Sequence, residues 1–544
     1  MKSLLVAINS KYIHPGYGVY QIVANSKYPV DYIEFTIKDN IESIIEKITK
    51  TNYDLLGFSV YIWNVEIVKR ILKHLEQINF NGTILLGGPE VSYQADYFFT
   101  NFKIDYIIKN EGEESFNELL EYLQNLRPIT NVSNLYYQQN NQVHFTYDKL
   151  PDINNIKPAH HFVDDLEHKI IYFESSRGCC FNCTYCMASL EPRIRPFPLD
   201  LVKSNLSELL RKKVKTIKFL DRSFNIHLKN ALEILKFLIE NDNNYTTIQF
   251  EVVGDILNRQ IIDYIIKYAR PGYFRFEIGV QTTNPQTTKA IRRTLDFEKL
   301  AKNINLLRDK VGLHLDLIAG LPYENKESFK KSFNDTFLLF PHELQLGFLK
   351  ELKGTQISKE KELHQYVFSN TAPYEVIENK YISKEDLEEI RIVEKMVNRL
   401  YNRGLLNQTI HYLVTNNYYQ PYDFFFEVGV YFINNNLNSL TYQLHELFLN
   451  VYNFLKTNPN LDSDYILFLL KQDYLSHFKI RPKIWWDNPL TPQEKKDVFQ
   501  KMTVLYPHLN MDMLYRYCRI EKYQNQYYAI LYLPNKVESY CFTI

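Results

Sequence analysis

The chain of 544 residues has few cysteines, no net charge and no long apolar run. Six cysteines, three of them in one C-x3-C-x2-C motif, do not make a secreted disulfide framework. Lysine plus arginine and aspartate plus glutamate both number 63, so overall charge draws the chain neither to nucleic acid nor to an anionic membrane. The local basic run Arg211-Lys212-Lys213 reads as a solvated helix end. No stretch of about 18 consecutive apolar residues occurs, so no transmembrane helix is expected. The opening MKSLLVAINSKYIHPGYG lacks a long apolar region and a small-residue cleavage site, and reads as a first β-strand rather than a signal peptide. A cytoplasmic location is expected. There is no G-x-G-x-x-G, which argues against a dinucleotide site.

What the chain does contain is strand–helix alternation, in two blocks. Its length predicts about three domains. In residues 1–125, Leu4–Ile8, Leu55–Val60, Thr83–Leu86 and Tyr106–Ile108 read as strands. Ile41–Thr51 and Val65–Leu75 carry apolar residues at helical spacing between them. Such alternation implies a doubly wound parallel sheet, whose ligands bind beyond the carboxyl ends of the strands. Gly57, Gly87-Gly88 and Gly112 fall at those ends. Glycine lets the backbone approach a ligand closely; the alternative for each one alone is that it simply terminates a strand. Residues 126–169 form a connector with a hairpin centred on Gln138–Gln142. The alternation resumes over 170–370, with strands at Ile170–Glu174, Thr216–Leu220, Ile248–Val252, Arg275–Gln281, Leu313–Gly320 and Leu344–Leu349. Six such units predict a partial barrel, with polar clusters at the carboxyl ends where barrel chemistry sits. Residues 371–544 predict a mostly α-helical domain. Ser383–Asp386 and Thr491–Glu494 have the form of helix N-termini, and Phe424-Phe425-Phe426 reads as helical core. Trp485-Trp486 would pack or shape a cavity.

The densest chemistry lies at Cys179-Cys180-Phe181-Asn182-Cys183-Thr184-Tyr185-Cys186. Three thiolates at C-x3-C-x2-C spacing suit an iron–sulfur cluster, because soft sulfur ligands hold iron. Three ligands leave one iron of a cubane open to a small molecule. A closed zinc site would need a fourth ligand from Cys180, Cys518, Cys541 or a histidine. Cys180 directly follows Cys179, so packing is its expected role.

With Glu174-Ser175-Ser176-Arg177-Gly178 ahead of it, this motif resembles the opening of a radical SAM domain. The resemblance implies that Cys179, Cys183 and Cys186 hold a 4Fe–4S cluster whose free iron chelates S-adenosylmethionine (SAM). One electron then cleaves the sulfonium to a 5′-deoxyadenosyl radical. Tyr185 fits the aromatic residue usual before the last cysteine. By the same resemblance Asp221 meets the methionine amine, and Glu277 and Gln281 lie near the ribose and sulfonium. Ile318 and Glu324 belong to the pattern that packs on adenine, and Arg292 or Arg293 pairs with the SAM carboxylate.

The segments Leu56-Gly57-Phe58-Ser59, Leu86-Gly87-Gly88-Pro89-Glu90 and Asp105–Phe116 are similar to the cobalamin-binding domain that precedes many radical SAM domains. That likeness implies cobalamin held by Ser59, Gly87, Gly88, Glu111 and Gly112. His14 lies in the loop that often carries a cobalt-ligating histidine, but at different spacing, and is either a ligand or a loop histidine bonded to backbone. The stretches Phe348–Thr355 and Ala372–Val376, with the C-terminal helices, match a subgroup whose C-terminal domain has no known function.

These resemblances imply a cobalamin-dependent radical SAM enzyme that methylates an unreactive carbon, served by an external one-electron reductant such as flavodoxin or ferredoxin. A non-methylating rearrangement or cyclisation, with or without cobalamin, is an alternative. A non-catalytic cluster or SAM sensor is another. Methylthiolating relatives carry extra cluster cysteines in the N-terminal domain, and residues 1–150 have none.

Overall fold

The computed structural model describes residues 1–437, 443–482, 490–533 and 536–543; Trp485-Trp486 lies outside them. The chain forms two compact units, residues 1–329 with 347–384 and residues 330–346 with 385–544.

The first unit begins with a seven-stranded sheet. Its strands are β1 (Ser3–Asn9), β2 (Asp31–Thr36), β3 (Leu55–Ser59), β4 (Thr83–Gly87), β5 (Tyr106–Ile108), β6 (Leu135–Gln139) and β7 (Gln142–Phe145). Their order is β2-β1-β3-β4-β5-β6-β7, parallel through β5 and antiparallel beyond it. All seven residues of β1 are buried, as a central strand covered on both faces must be. Helices α1 (Tyr17–Asn25), α2 (Ile41–Thr49), α3 (Val65–Gln77), α4 (Ala95–Asn101) and α5 (Glu113–Leu123) cover it. The apolar stripe predicted for α3 is the face it buries: Val65, Val68, Ile71, Leu72 and Leu75. Two features differ from the sequence reading. The β6–β7 hairpin, expected in the connector, completes the sheet. β2, which the pattern did not reveal, is an edge strand, exposed at Asp31 and Tyr32, so its alternation is weak.

The second sheet of this unit uses β8 (Ile171–Phe173), β11 (Thr216–Phe219), β12 (Thr247–Glu251), β13 (Phe274–Gln281) and β14 (Gly312–Ala319), in the order β14-β13-β12-β11-β8. Pairing from β8 through β14 is parallel. A short antiparallel ribbon, β9 (Ser176–Arg177) with β10 (Arg195–Pro196), stands between β8 and helix α6 (Leu199–Arg211). The alternation of β13, with Phe274, Phe276, Ile278 and Val280 buried, turns Arg275, Glu277, Gly279 and Gln281 to the other face.

The second unit is helical and then, unlike the sequence reading, ends in an antiparallel sheet of Cys518–Tyr523, Gln526–Leu533 and Lys536–Thr543. The Thr491–Glu494 capping box forms as predicted. Phe424 and Phe425 are fully buried core residues of the helix Pro421–Asn434. No helix among the described residues is long and apolar enough to cross a membrane.

Candidate functional site

The β9–β10 ribbon closes the base of the cysteine loop. Gly178 has φ +84°, and a Cβ there would lie 2.0 Å from the Arg193 carbonyl oxygen, so only glycine fits. The Cys179 N–H donates to the Glu191 carbonyl at 3.1 Å, and the Cys186 N–H to the Cys183 carbonyl at 3.2 Å. Cys179 and Cys183 are buried, and Cys186 is half-buried. Cys180, expected to pack, is exposed.

These three cysteines line a cavity of ≈ 700 Å³ at the carboxyl ends of β12, β13 and β14, with Tyr185, Glu251, Glu277, Gly279, Gln281, Arg293 and Asp316. Glu277 accepts from Lys218 Nζ at 2.8 Å and from Gln249 Nε2 at 3.0 Å. Burial pushes its pKa up, but Lys218 outweighs burial and holds the carboxylate below its ordinary range. Burial raises Glu251 and Asp316. Arg293, not Arg292, faces the cavity: Arg292 is exposed, whereas Arg293 donates to the Gly279 carbonyl and brings Nη1 to 4.0 Å from Cys183 Sγ. Gln281 Oε1 and Arg293 Nε are buried in the cavity wall with no hydrogen-bond partner. Such atoms call for a polar occupant, and SAM, with its amine, carboxylate and ribose, fits them.

Three expected SAM contacts sit differently. Asp221 is fully buried and accepts from the Ser175 N–H at 2.8 Å, Ser175 Oγ at 2.6 Å and Ser176 Oγ at 2.7 Å. Burial raises its pKa to about 6 against those hydrogen bonds. Its work is to fix the strand end that leads into the cysteine loop, and it does not line the cavity. Glu324 is fully buried and accepts from Thr282 Oγ1 at 2.5 Å. Ile318 is half-buried on the same face of β14 as Asp316, but outside the cavity lining.

A second cavity, ≈ 1230 Å³ and open to solvent, lies beyond the carboxyl ends of β3, β4 and β5. It adjoins the reversal of strand order at β1 and β3, where doubly wound sheets bind ligands. Ser59, Gly87, Gly88, Glu111 and Gly112 line it, as do Tyr17, Tyr61 and Asn110. Gly88 has φ +107°, and a Cβ on it would meet the Val60 carbonyl oxygen at 2.5 Å. At Gly87 the nearest atom to an added Cβ is the Ile108 carbonyl oxygen, 3.8 Å away. The space over Gly87 is thus left open by the protein itself, a cradle that suits a large, flat macrocycle such as cobalamin.

His14 is not in this lining. Its Nδ1 is 2.7 Å from the Tyr172 hydroxyl, the two rings stack at 6.1 Å, and burial lowers its pKa. Among the described residues no histidine lines the cavity, so of the two roles open to His14 the structure favours that of a loop histidine. His14→Ala is therefore expected to leave the electron paramagnetic resonance spectrum of bound cob(II)alamin unchanged. Loss of a nitrogen splitting in the variant would restore His14 as a ligand.

Charged residues connect the two sheets, and Glu111, expected at the cobalamin, is one of them. Arg177 is bound by Glu111 at 2.7 Å, Glu113 at 2.7 Å and Glu174 at 2.9 Å. Arg195 also meets Glu111, and binds Glu191 at 2.6 Å. Glu111 therefore serves as a tie between the cavity loop and the cysteine loop. Deleting the cation from a buried group of this kind costs about 3–5 kcal/mol, because the carboxylates are left uncompensated. Arg222, just past β11, lines both cavities and stands 3.7 Å from Glu251.

Three family models match the chain. The B12 binding domain covers residues 4–120, the radical SAM superfamily 173–336, and the protein of unknown function family DUF4080 covers 362–535. The chain is 26% identical over 330 residues to an uncharacterized methyltransferase, PH0819, of Pyrococcus horikoshii, a match spanning 56% of this chain and 69% of that one. It is 21% identical over 338 residues to the cobalamin-dependent radical SAM methyltransferase TokK of Streptomyces tokunonensis, spanning 58% of this chain and 49% of TokK. The chain thus spans about half the length of TokK. In fold it is similar to the cobalamin-dependent SAM radical enzyme OxsB, with TM-score 0.62 and 14% identity over 94% of this chain and 81% of OxsB. It is also similar to the radical SAM methyltransferase TsrM of Kitasatospora setae, solved with cobalamin and a 4Fe–4S cluster, with TM-score 0.58 and 16% identity over 68% of this chain and 76% of TsrM. With a glycine-cradled cavity on one sheet and a three-cysteine loop on the next, the chain belongs to the cobalamin-binding radical SAM proteins that end in a DUF4080 domain, whose cofactors are a 4Fe–4S cluster, SAM and cobalamin.

Proposed function

We propose that the protein transfers a methyl group from SAM, by way of cobalamin, to an unreactive carbon of a small substrate. The observation that carries this reading is the shared lining residue. The cysteine cavity and the glycine-cradled cavity lie in one compact unit and have Arg222 in common, so one substrate can face the occupants of both.

Bound there, the cluster supplies the electron that cleaves SAM, and the corrin supplies the methyl group. The protein positions these groups and excludes water. Cys179, Cys183 and Cys186 are proposed to hold the cluster. Arg293 offers a buried cation beside it, and Gln281 and Glu277 present polar atoms to SAM from β13. Ser59, Gly87, Gly88 and Gly112 are proposed to seat the corrin. Glu251 and Asp316, their pKa values raised by burial, are placed to take a proton within the same cavity. The electron would come from an external donor such as flavodoxin or ferredoxin.

The test begins with anaerobic protein loaded with iron, sulfide and hydroxocobalamin. About one corrin per chain is expected after free ligand is removed. This holoprotein, with reductant and methyl-deuterated SAM, is then given an extract of the source cells. A product carrying the intact labelled methyl on carbon supports methyl transfer. A new product without the label overturns it in favour of rearrangement or cyclisation.

A further inference from the structure

Away from both cavities, His160, His161 and Glu208 turn three ligand atoms toward one point, all within 4.8 Å of one another. His160 Nε2 is 3.7 Å from Glu208 Oε2, and His161 Nδ1 is 3.4 Å from Glu208 Oε1. The two imidazole rings lie 4.1 Å apart, tilted by 39°. These gaps exceed the span of about 2.7–3.2 Å that N–H···O hydrogen bonds occupy. They run to the two different oxygens of the carboxylate and lie close to the about 3.3–3.4 Å that separates neighbouring ligands at bonds of about 2.0–2.1 Å and tetrahedral angles.

A second observation points the same way. His160 is 3% exposed, and its Nε2 has no hydrogen-bond partner. A buried ring nitrogen left unpaired is costly, and it faces the carboxylate at a distance that an ion between them would bridge. Lys212 Nζ is 2.7 Å from Glu208 Oε1, so the competing cation holds one oxygen and leaves Oε2 to face His160. His161 is half exposed, which gives a fourth ligand position to water.

We propose that His160, His161 and Glu208 form a site for a divalent ion of the zinc class, with water as its fourth ligand, that pins the connector to the first helix of the barrel. His160 and His161 belong to the short 3-10 turn His160–Phe162, and Glu208 lies on α6. Phe162 in that turn packs on Tyr20 and Tyr32, with ring centres 6.3 and 5.9 Å away. An ion here fastens the turn that touches the first sheet to a helix of the second. Two imidazoles and a carboxylate form a borderline donor set that suits zinc and excludes the soft-metal chemistry of the cysteine loop.

The test uses full-length protein with its cluster already in place, so that the cysteines are occupied. The protein is equilibrated with zinc alone, desalted, and its metals are counted by mass spectrometry. About one zinc per chain is expected beyond the cluster iron. His161→Ala, at a half-exposed position, and Glu208→Gln should each reduce zinc to background with iron content unchanged. Cobalt(II) in place of zinc should give a tetrahedral visible band in the parent that both variants lack. Zinc should also slow tryptic cleavage of the connector in the parent and not in the variants. No zinc on the parent protein, or equal zinc on the variants, overturns the proposal.

Discussion

Cys183→Ala is expected to abolish reductive cleavage of SAM and leave corrin content at about one per chain. Cys183 is the central cysteine of the loop and is 6% exposed. Its sulfur is 4.0 Å from the Arg293 guanidinium. Of the four cysteines in the loop only Cys179, Cys183 and Cys186 line the cavity, so losing one leaves two there. Cys180 is exposed beside the loop and Cys518 is buried in the C-terminal sheet, so neither can stand in. The cluster should therefore be lost, with 5′-deoxyadenosine release falling below detection. None of the cysteines lines the larger cavity, so the corrin should remain. Iron analysis, the ultraviolet–visible spectrum and product chromatography measure the three quantities. Retained SAM cleavage in Cys183→Ala, with full cleavage lost in Cys180→Ala, would move the cluster to a different ligand set.

The residues of both candidate sites were legible in the sequence to the extent that their chemistry is local. Three thiols at C-x3-C-x2-C spacing declare themselves, because soft ligands so spaced have few other uses. Gly87-Gly88 and Gly112 were legible because they end strands in a doubly wound pattern. What the sequence hid depends on contacts between distant segments. Arg177 directly follows Ser175-Ser176, but its partners Glu111 and Glu113 come from the loop after β5, so the tie emerges only when the two sheets meet. Asp221 stands at the carboxyl end of a strand, as the motif required. Its carboxylate is nonetheless consumed by Ser175 and Ser176, a choice set by the register of β11 beside β8. Arg292 and Arg293 could not be separated by residue type. The backbone separates them: Arg292 takes φ +53° at the end of a helix, and the chain then turns Arg293 inward. His14 misled for a similar reason. Its loop was the right one, but the Tyr172 hydroxyl, far away in sequence, claims the imidazole.

Gly87→Leu should produce the reciprocal loss: corrin binding weakened with the cluster and SAM cleavage intact. Gly87 ends β4, lines the larger cavity and is absent from the lining of the cysteine cavity. Its φ is not in the left-handed region, and an added Cβ meets nothing closer than 3.8 Å, so the backbone and the first side-chain atom are accommodated. Gly88 offers no such clean test. Its φ of +107° and the 2.5 Å approach of the Val60 carbonyl would make any substitution a folding defect. A leucine at 87 instead projects into the space that the corrin would fill. Overpacking of that kind costs about 1–3 kcal/mol, or roughly 5- to 150-fold in affinity. Retained corrin after desalting should fall accordingly, while iron content, thermal unfolding and 5′-deoxyadenosine release in the presence of SAM and reductant stay at parent values. Labelled-methyl transfer should fall with the corrin. If Gly87→Leu holds corrin as tightly as the parent, the glycine-cradled cavity is not the corrin seat. If it loses SAM cleavage as well, the two cavities act as one site and the division of labour drawn here fails.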